Sequence, residues 1–361
     1  MLSGASVKNA LGYGTDLAWN VISSSAPCYR ISQSRSYAIP RVIHQTWPTT
    51  EVPRKVTKWI RSWIERNPDW EYWFWTNEDI QTFLTVRYPG YLDMYNGYDK
   101  HIKRADAMRY FVLYEFGGVY VDIDMECLSP LDDWVHRFRC FLCEENYEHQ
   151  SLIYHRRDPI IITSIMGCDR HHPFYSDAIH MLPISASITD VLEATGPFFL
   201  TRVFSNFNRG SSKIDDYITM LPPHYLSPVA DPGQEDYFRR HCTALAKNSK
   251  HSRRSDNEKS LGQANGLSSS RLEGVPVFKP SFDEEQEARE LEICSILVEN
   301  NFTYHIGPES MAVHHWIHTM LNESRWKHLE ETVSIKKHVP SVVFFSHLLN
   351  NSLTSKYYFG V

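Results

Sequence analysis

Apolar and polar positions along the chain alternate between two periods. Ile39-Pro-Arg-Val-Ile-His-Gln-Thr-Trp47 is a β-branched run followed by proline and threonine, which predicts a strand and a turn. Val56, Trp59, Ile60, Trp63 and Ile64 then recur on one face of an amphipathic helix, which Asn67-Pro68 stops. Glu71 to Trp75 is aromatic and predicts a second strand. Asn77 has the character of a helix cap, with Glu78 and Asp79 favourable in the first turn and Ile80, Phe83 and Leu84 facing inward. A helix predicted from Lys103 to Phe116 leads into Gly117-Gly-Val-Tyr-Val-Asp-Ile-Asp124, a short strand ending in two carboxylates. Further strands are predicted over Pro159–Met166 and Ile218–Leu221. A helix is predicted over Asp283–Asn300, with Leu291, Ile293, Leu297 and Val298 as its apolar positions. Strands and helices interleaved in this way predict an α/β sheet.

The ends and one interior stretch break the pattern. Residues 1–38 are rich in serine, glycine and alanine without period and read as a poorly ordered N-terminal arm. Lys247 to Glu273 is polar with almost no large apolar residue, a disordered insertion by composition. Residues 331–361 form a C-terminal tail. No internal repeat occurs, and no segment reaches the ~20 apolar residues of a membrane-spanning helix. Hydrophobic residues make up 42% of the chain, enough for a sizeable core. A net charge of −6 gives no basic field to attract nucleic acid. Seven cysteines leave at least one unpaired, and Cys140-Phe-Leu-Cys143 has no second pair beside it, so buried thiols are expected there rather than zinc. Sequons at Asn301, Asn322 and Asn350 permit glycosylation in a secretory lumen.

The chemistry concentrates around Asp122 and Asp124. Alternation along a strand puts both on one side, with Val121 and Ile123 on the other. Two neighbouring carboxylates repel unless a proton or a cation intervenes, and a divalent cation fits. One helix earlier, Asp106 and Arg109 stand three residues apart and share a face. They are either a simple ion pair or a clamp for hydroxyl groups, the carboxylate accepting and the guanidinium donating. Of the adjacent His314 and His315, strand geometry lets only one reach a common ion. His171-His172 precedes Pro173 and reads as a surface pair, and Asp132-Asp133 as a helix start. A phosphohydrolase with an aspartate nucleophile is a further reading of Asp-x-Asp. Those enzymes place threonine or valine two positions after the second aspartate, where Glu126 stands here.

In order along the chain, Ile39 to Trp47, Asn67-Pro-Asp-Trp-Glu-Tyr72, Trp75-Thr-Asn-Glu-Asp-Ile80, Arg104-Ala-Asp-Ala-Met-Arg-Tyr110 and Leu113 to Asp124 resemble glycosyltransferase family 32, which carries the DXD sugar-binding region. Ile165-Met-Gly167, His172-Pro-Phe174, Thr195-Gly-Pro197 and Ala312-Val-His-His-Trp316 continue the resemblance, most closely to inositol phosphoceramide mannosyltransferases. It implies a GT-A nucleotide-diphospho-sugar transferase fold over 39–330, a single Rossmann-like domain with a central mixed sheet. It also implies a manganese or magnesium ion and retention of anomeric configuration. The implied reaction moves a hexose, mannose from GDP-mannose, to a lipid or glycan acceptor. A UDP-hexose donor is the alternative, and a domain that only binds nucleotide sugar or glycan is a reading of another class.

Carried onto this chain, the resemblance makes Asp124 a direct metal ligand, with His314 completing the metal shell or binding the diphosphate. It gives Asp122 the ribose or sugar and a water-mediated part in the metal site. Asp106 and Arg109 would hold donor-sugar hydroxyls, Tyr120 would line the same pocket, and Trp47 would stack on the base unless it is a core tryptophan beside Trp59 and Trp63. A Golgi or secretory lumen is implied, with membrane association through the acceptor or a partner subunit. The chain departs from the pattern at Thr163-Ser164, where Asn-Asp is common, at Met320 in place of a tryptophan, and in showing no membrane anchor.

Overall fold

The computed structural model describes residues 39–156, 158–210, 217–247, 282–317 and 331–349. The expected arm over 1–38, the insertion beyond Lys247 and the end of the tail lie outside them. The described residues fall into two compact units, one built from segments of 146–158 and 230–305 and the other from the remainder.

The larger unit contains all ten strands that the description includes. In chain order these are β1 (Val42–Thr46), β2 (Glu51–Pro53), β3 (Glu71–Trp75), β4 (Gly118–Val121) and β5 (Met125–Cys127), then β6 (Cys140–Cys143), β7 (Ile165–Cys168), β8 (Thr219–Leu221), β9 (Ala312–His314) and β10 (Thr332–Ser334). Six form one mixed sheet in the order β3-β1-β4-β7-β6-β8, in which β1 runs parallel to β3 and β4, and β7 antiparallel to β4 and β6. The expected α/β architecture with a central mixed sheet is therefore present. Two ribbons lie apart from it: β5 pairs antiparallel with β9, and β2 with β10, which belongs to the tail.

Alternation explains the layers. Val119 and Val121 of β4 enter one apolar cluster and Tyr120 the other, and β3 divides Tyr72 and Phe74 from Trp73 and Trp75 in the same way. The His101–Phe116 helix covers one face with Met108, Phe111 and Val112. The Thr57–Arg66 helix brings Trp59, Ile60 and Trp63 to the other. Gly117 and Gly118 adopt φ of 63° and 94° before β4, and a Cβ on Gly118 would stand 2.5 Å from the Val42 carbonyl oxygen. The glycine pair is what lets the helix turn tightly into the sheet.

Several local expectations shift. Thr76, not Asn77, caps the second helix, because its hydroxyl accepts the Asp79 N–H while Asp79 answers at the Thr76 N–H, a reciprocal box. The strand expected at Pro159–Met166 forms later, as β7. His172 is fully buried at the start of the Pro173–Ser185 helix, where its Nδ1 accepts the Phe174 N–H, so only His171 behaves as a surface residue. Cys140 is not a thiol: it faces Cys168 across the β6–β7 pair and is disulfide-bonded to it, while Cys143 is a buried free thiol.

In the smaller unit, the Phe282–Glu299 helix buries Ile293 and Leu297 against Leu152 and Phe238, whereas Val298 turns out to solvent. A Cys242–Cys294 disulfide joins this helix to the helical segment 235–247.

His44 on β1 is completely buried. Its Nδ1 accepts the Trp75 indole N–H at 3.2 Å and its Nε2–H donates to the Gly117 carbonyl at 2.8 Å, which fixes a neutral tautomer. Burial holds its pKa down from 6.5 to about 4. Between those values the unfolded chain takes up a proton that the folded chain refuses. This contribution to stability is thus complete above about pH 6.5 and is lost as pH falls toward 4. From pH 7 to pH 5 it removes about 2 kcal/mol, and urea unfolding of His44→Gln shows that much less pH dependence than the wild type. Identical pH profiles for the two proteins would show that His44 does not carry it.

Candidate active site

The His101–Phe116 helix, the end of β4 and the segment before β7 meet around one buried guanidinium, and β9 closes on the neighbouring Asp124. Arg109 is 4% exposed. Its Nη2 lies 3.2 Å from Asp106 Oδ1 and 3.5 Å from Asp122 Oδ1. Its Nε donates to the Ala105 carbonyl at 3.2 Å, its Nη1 donates to the Thr163 carbonyl, and its charge sits 4.5 Å from the centre of the Tyr120 ring. The spacing of Asp106 and Arg109 thus gives a buried pair, not the surface pair that was the simpler reading. Burial works against the guanidinium charge, but Tyr120, Asp122 and Asp106 outweigh it and hold the pKa above the ordinary arginine value.

Asp106 is pushed up to about 6, chiefly by burial, with Arg109 pulling the other way. Its Oδ2 accepts the Thr195 hydroxyl at 3.2 Å, and the Thr195 carbonyl accepts the Tyr110 hydroxyl at 2.5 Å. Lys103, Asp106 and Tyr110 therefore form one helical stripe that grips the 188–195 segment, Lys103 Nζ donating to the Ile188 carbonyl at 2.8 Å.

Asp122 and Asp124 come together by a route other than strand alternation. β4 ends at Val121, and the chain turns so that the Met125 N–H donates to the Asp122 carbonyl at 3.0 Å. Asp122 is held from several sides. Tyr120 donates its hydroxyl to Oδ1 at 2.7 Å, Gln45 donates to the Asp122 carbonyl at 3.1 Å, and the Asp122 N–H donates to the Ser164 carbonyl at 2.8 Å. Asp124 is held by the strap: the His314 Nε2 lies 3.3 Å from its Oδ1, and the Ile317 N–H donates to its Oδ2 at 3.0 Å.

The surroundings shift the two carboxylates in opposite directions. Burial, with the Asp124 charge, raises Asp122 above the usual carboxylate range despite Arg109. Burial also opposes ionisation of Asp124, but His314 and the Ile317 N–H overcome it and hold its pKa below that range. His314 is raised in turn: burial lowers it, and Asp124 more than compensates.

One ligand atom each from Asp122, Asp124 and His314 lie within 4.8 Å of one another. Two carboxylate oxygens and one imidazole nitrogen suit a divalent cation, and the imidazole moves preference from magnesium toward manganese. Among the described residues one other such group occurs, Cys140, Cys168 and His172, whose cysteines are joined as a disulfide. Of the residues singled out from sequence, Asp106, Arg109, Tyr120, Asp122, Asp124 and His314 are brought together. His315 is turned away to Glu126. Trp47 is 2% exposed in the apolar cluster with Trp59 and Trp63, so its ring is enclosed by protein rather than presented to solvent. Gln45 and Thr195 stand within the Ile39–Trp47 and Thr-Gly-Pro strings, whereas the Thr163 carbonyl and the Ile317 N–H carry no mark of a role in the sequence, since both act through the main chain.

The family model described as the glycosyltransferase sugar-binding region containing the DXD motif matches residues 53–140. The matched span includes Asp106, Arg109, Asp122 and Asp124. Among its relatives, inositol phosphoceramide mannosyltransferase 3 of Schizosaccharomyces pombe is 34% identical over 186 residues, covering 50% of this chain and 49% of that protein. Mannosyl phosphorylinositol ceramide synthase SUR1 of Saccharomyces cerevisiae is 30% identical over 193 residues, 52% of this chain and 47% of that protein. The chain thus spans about half the length of these relatives. Of solved structures, the PaToxG glycosyltransferase aligns at a TM-score of 0.35 and 14% identity, over 72% of this chain and 87% of that one.

Arg109→Met leaves the buried Asp106 and the half-buried Asp122 without their cation and costs about 3 kcal/mol in urea unfolding at pH 8. The loss is smaller at pH 5. Without Arg109 the folded pKa of Asp106 rises further above its unfolded value, so the burden is felt as pH rises through that window and lifted below it. A loss that does not change with pH would place the destabilisation elsewhere.

Proposed function

We propose that the chain is a metal-dependent retaining hexosyltransferase of GT-A type that moves mannose from GDP-mannose to a lipid acceptor of the inositol phosphoceramide kind. The convergence of Asp122, Asp124 and His314 beside the buried Arg109–Asp106 pair is the observation that carries the reading. The sugar-binding region at 53–140 and the mannosyltransferase names of the relatives support it. Disulfides at Cys140–Cys168 and Cys242–Cys294, with an exposed Asn301 in its sequon, favour the secretory lumen, where a Golgi enzyme would work.

Asp124, Asp122 and His314 would hold the cation, manganese before magnesium. When bound, that ion supplies Lewis-acid stabilisation of the negative charge on the departing diphosphate. The protein's own part is orientation. Arg109 and Tyr120 fix the Asp122 carboxylate, and the Ile317 N–H fixes that of Asp124, before any donor arrives. Asp106 and Arg109 form the floor on which donor-sugar hydroxyls would be read, and Thr195 keeps the Asp106 carboxylate in register.

A thermal-shift screen of GDP- and UDP-sugars with and without manganese tests the reading. GDP-mannose with manganese raises the melting temperature most, by about 5 °C at a hundredfold excess over its dissociation constant, and Asp124→Ala abolishes the shift. A larger shift with a UDP-hexose would replace the donor. Donor binding without any hydrolysis or transfer would favour a binding domain, and no shift with any donor would sink the proposal.

A further inference from the structure

His314 is the last residue of β9 and His315 follows it, and only one of the two imidazoles faces the aspartates. β9 runs antiparallel to β5 with Met125 opposite His314 and Glu126 opposite Val313, and the His315 N–H extends the ladder to the Asp124 carbonyl at 3.0 Å. His314 points its Nε2 at Asp124, while His315 points its Nε2 at Glu126 Oε2, 2.8 Å away. The His315 ring lies on the Trp59 indole, with centroids 4.3 Å apart and planes 14° apart, and Trp59 is itself 6% exposed in the core.

A one-residue slip of a strand sends each side chain to the opposite face, so here it would exchange one imidazole for the other at the ion site. The ligand chemistry of the two histidines is the same and offers no discrimination. Their seats differ: on the far face the His315 ring lies on an indole enclosed by the core and is within hydrogen-bond reach of the Glu126 carboxylate. We propose that Glu126, His315 and Trp59 form a register lock, which selects His314 as the residue presented to Asp122 and Asp124. Glu126 and His315 are positioning residues: they act on the site through the strap and touch neither ion nor donor. The lock rests on the metal reading given above.

Manganese binding to the full, donor-free chain, followed by electron paramagnetic resonance, tests it. The wild type binds Mn²⁺ with one imidazole-nitrogen coupling, and His314→Ala loses that coupling. Glu126→Ala and His315→Ala each weaken Mn²⁺ binding by about tenfold, comparable to the lower end of the effect of removing a residue outside the ligand set. The double variant is no weaker than either single one, because both break the same contact. His315→Gln, whose amide donates to Glu126, recovers most of the affinity. The lock is overturned, with the metal site left standing, if Glu126→Ala and His315→Ala bind Mn²⁺ as the wild type does while His314→Ala does not. A lower melting temperature in those two variants with unchanged Mn²⁺ affinity overturns it equally, since that is a merely structural contact. Absence of Mn²⁺ binding by the wild type, or binding indifferent to His314→Ala, removes the metal reading and the lock together.

Discussion

Everything at this site depends on one guanidinium taken out of water. Arg109 is surrounded by the carboxylates of Asp106 and Asp122, the carbonyls of Ala105 and Thr163 and the face of Tyr120. Burying a cation is costly, and the cost is met only when its donors are satisfied in good geometry. Those five partners come from the helix, β4 and the segment before β7, so satisfying Arg109 also fixes where these elements stand. A lysine would supply the charge but not the planar fork that reaches a carbonyl on one side and two carboxylates on the other.

Asp122 and Asp124 have the same side chain and nearly the same position in the chain, yet their surroundings drive them apart. Asp122 sits with its oxygen under a tyrosine hydroxyl and near Arg109, in a place where burial dominates and its proton is held more tightly. Asp124 sits against an imidazole and a backbone N–H, which keep it ionised. Under the metal reading proposed above, Asp124 would be the carboxylate that meets a cation already charged.

Much of this was legible in the residues. The residue pattern located the first three strands of the six-stranded sheet, β3 to the residue and β1 and β4 with one end three residues too long, since the sheet buries both faces and leaves a strong apolar signature at Tyr72–Trp75 and Val119–Val121. The family strings located Asp106, Arg109 and the aspartate pair. What stayed hidden depended on contacts distant in sequence or on the main chain. Nothing local marks His172 as buried, because its burial comes from packing beside Phe207 and its seat at a helix start. Cys140 finds Cys168 only because β6 and β7 are neighbours. Thr76 displaced Asn77 as the cap because the Asp79 carboxylate could answer it, a reciprocity that single-residue preference does not register. Trp47 shows the limit of an aromatic signal, since an indole that ends a strand packs as readily as it stacks.

The aspartate motif is also less of a unit than its spelling suggests. Asp122 continues β4 and is governed by the six-stranded sheet, through Gln45 on β1 and Ser164 before β7. Asp124 precedes β5 and is governed by the separate ribbon that β5 makes with β9, through His314, His315 and Ile317. Ile123 is the hinge residue between two differently supported pieces, and it is buried. The spacing Asp-x-Asp is thus the shortest link that lets a sheet and a ribbon each contribute one oxygen to a common point. A longer link would relax the approach of the two oxygens, and a shorter one would force both carboxylates onto the same element. The motif's length is therefore a constraint set by the two supports, and its chemistry follows from their meeting.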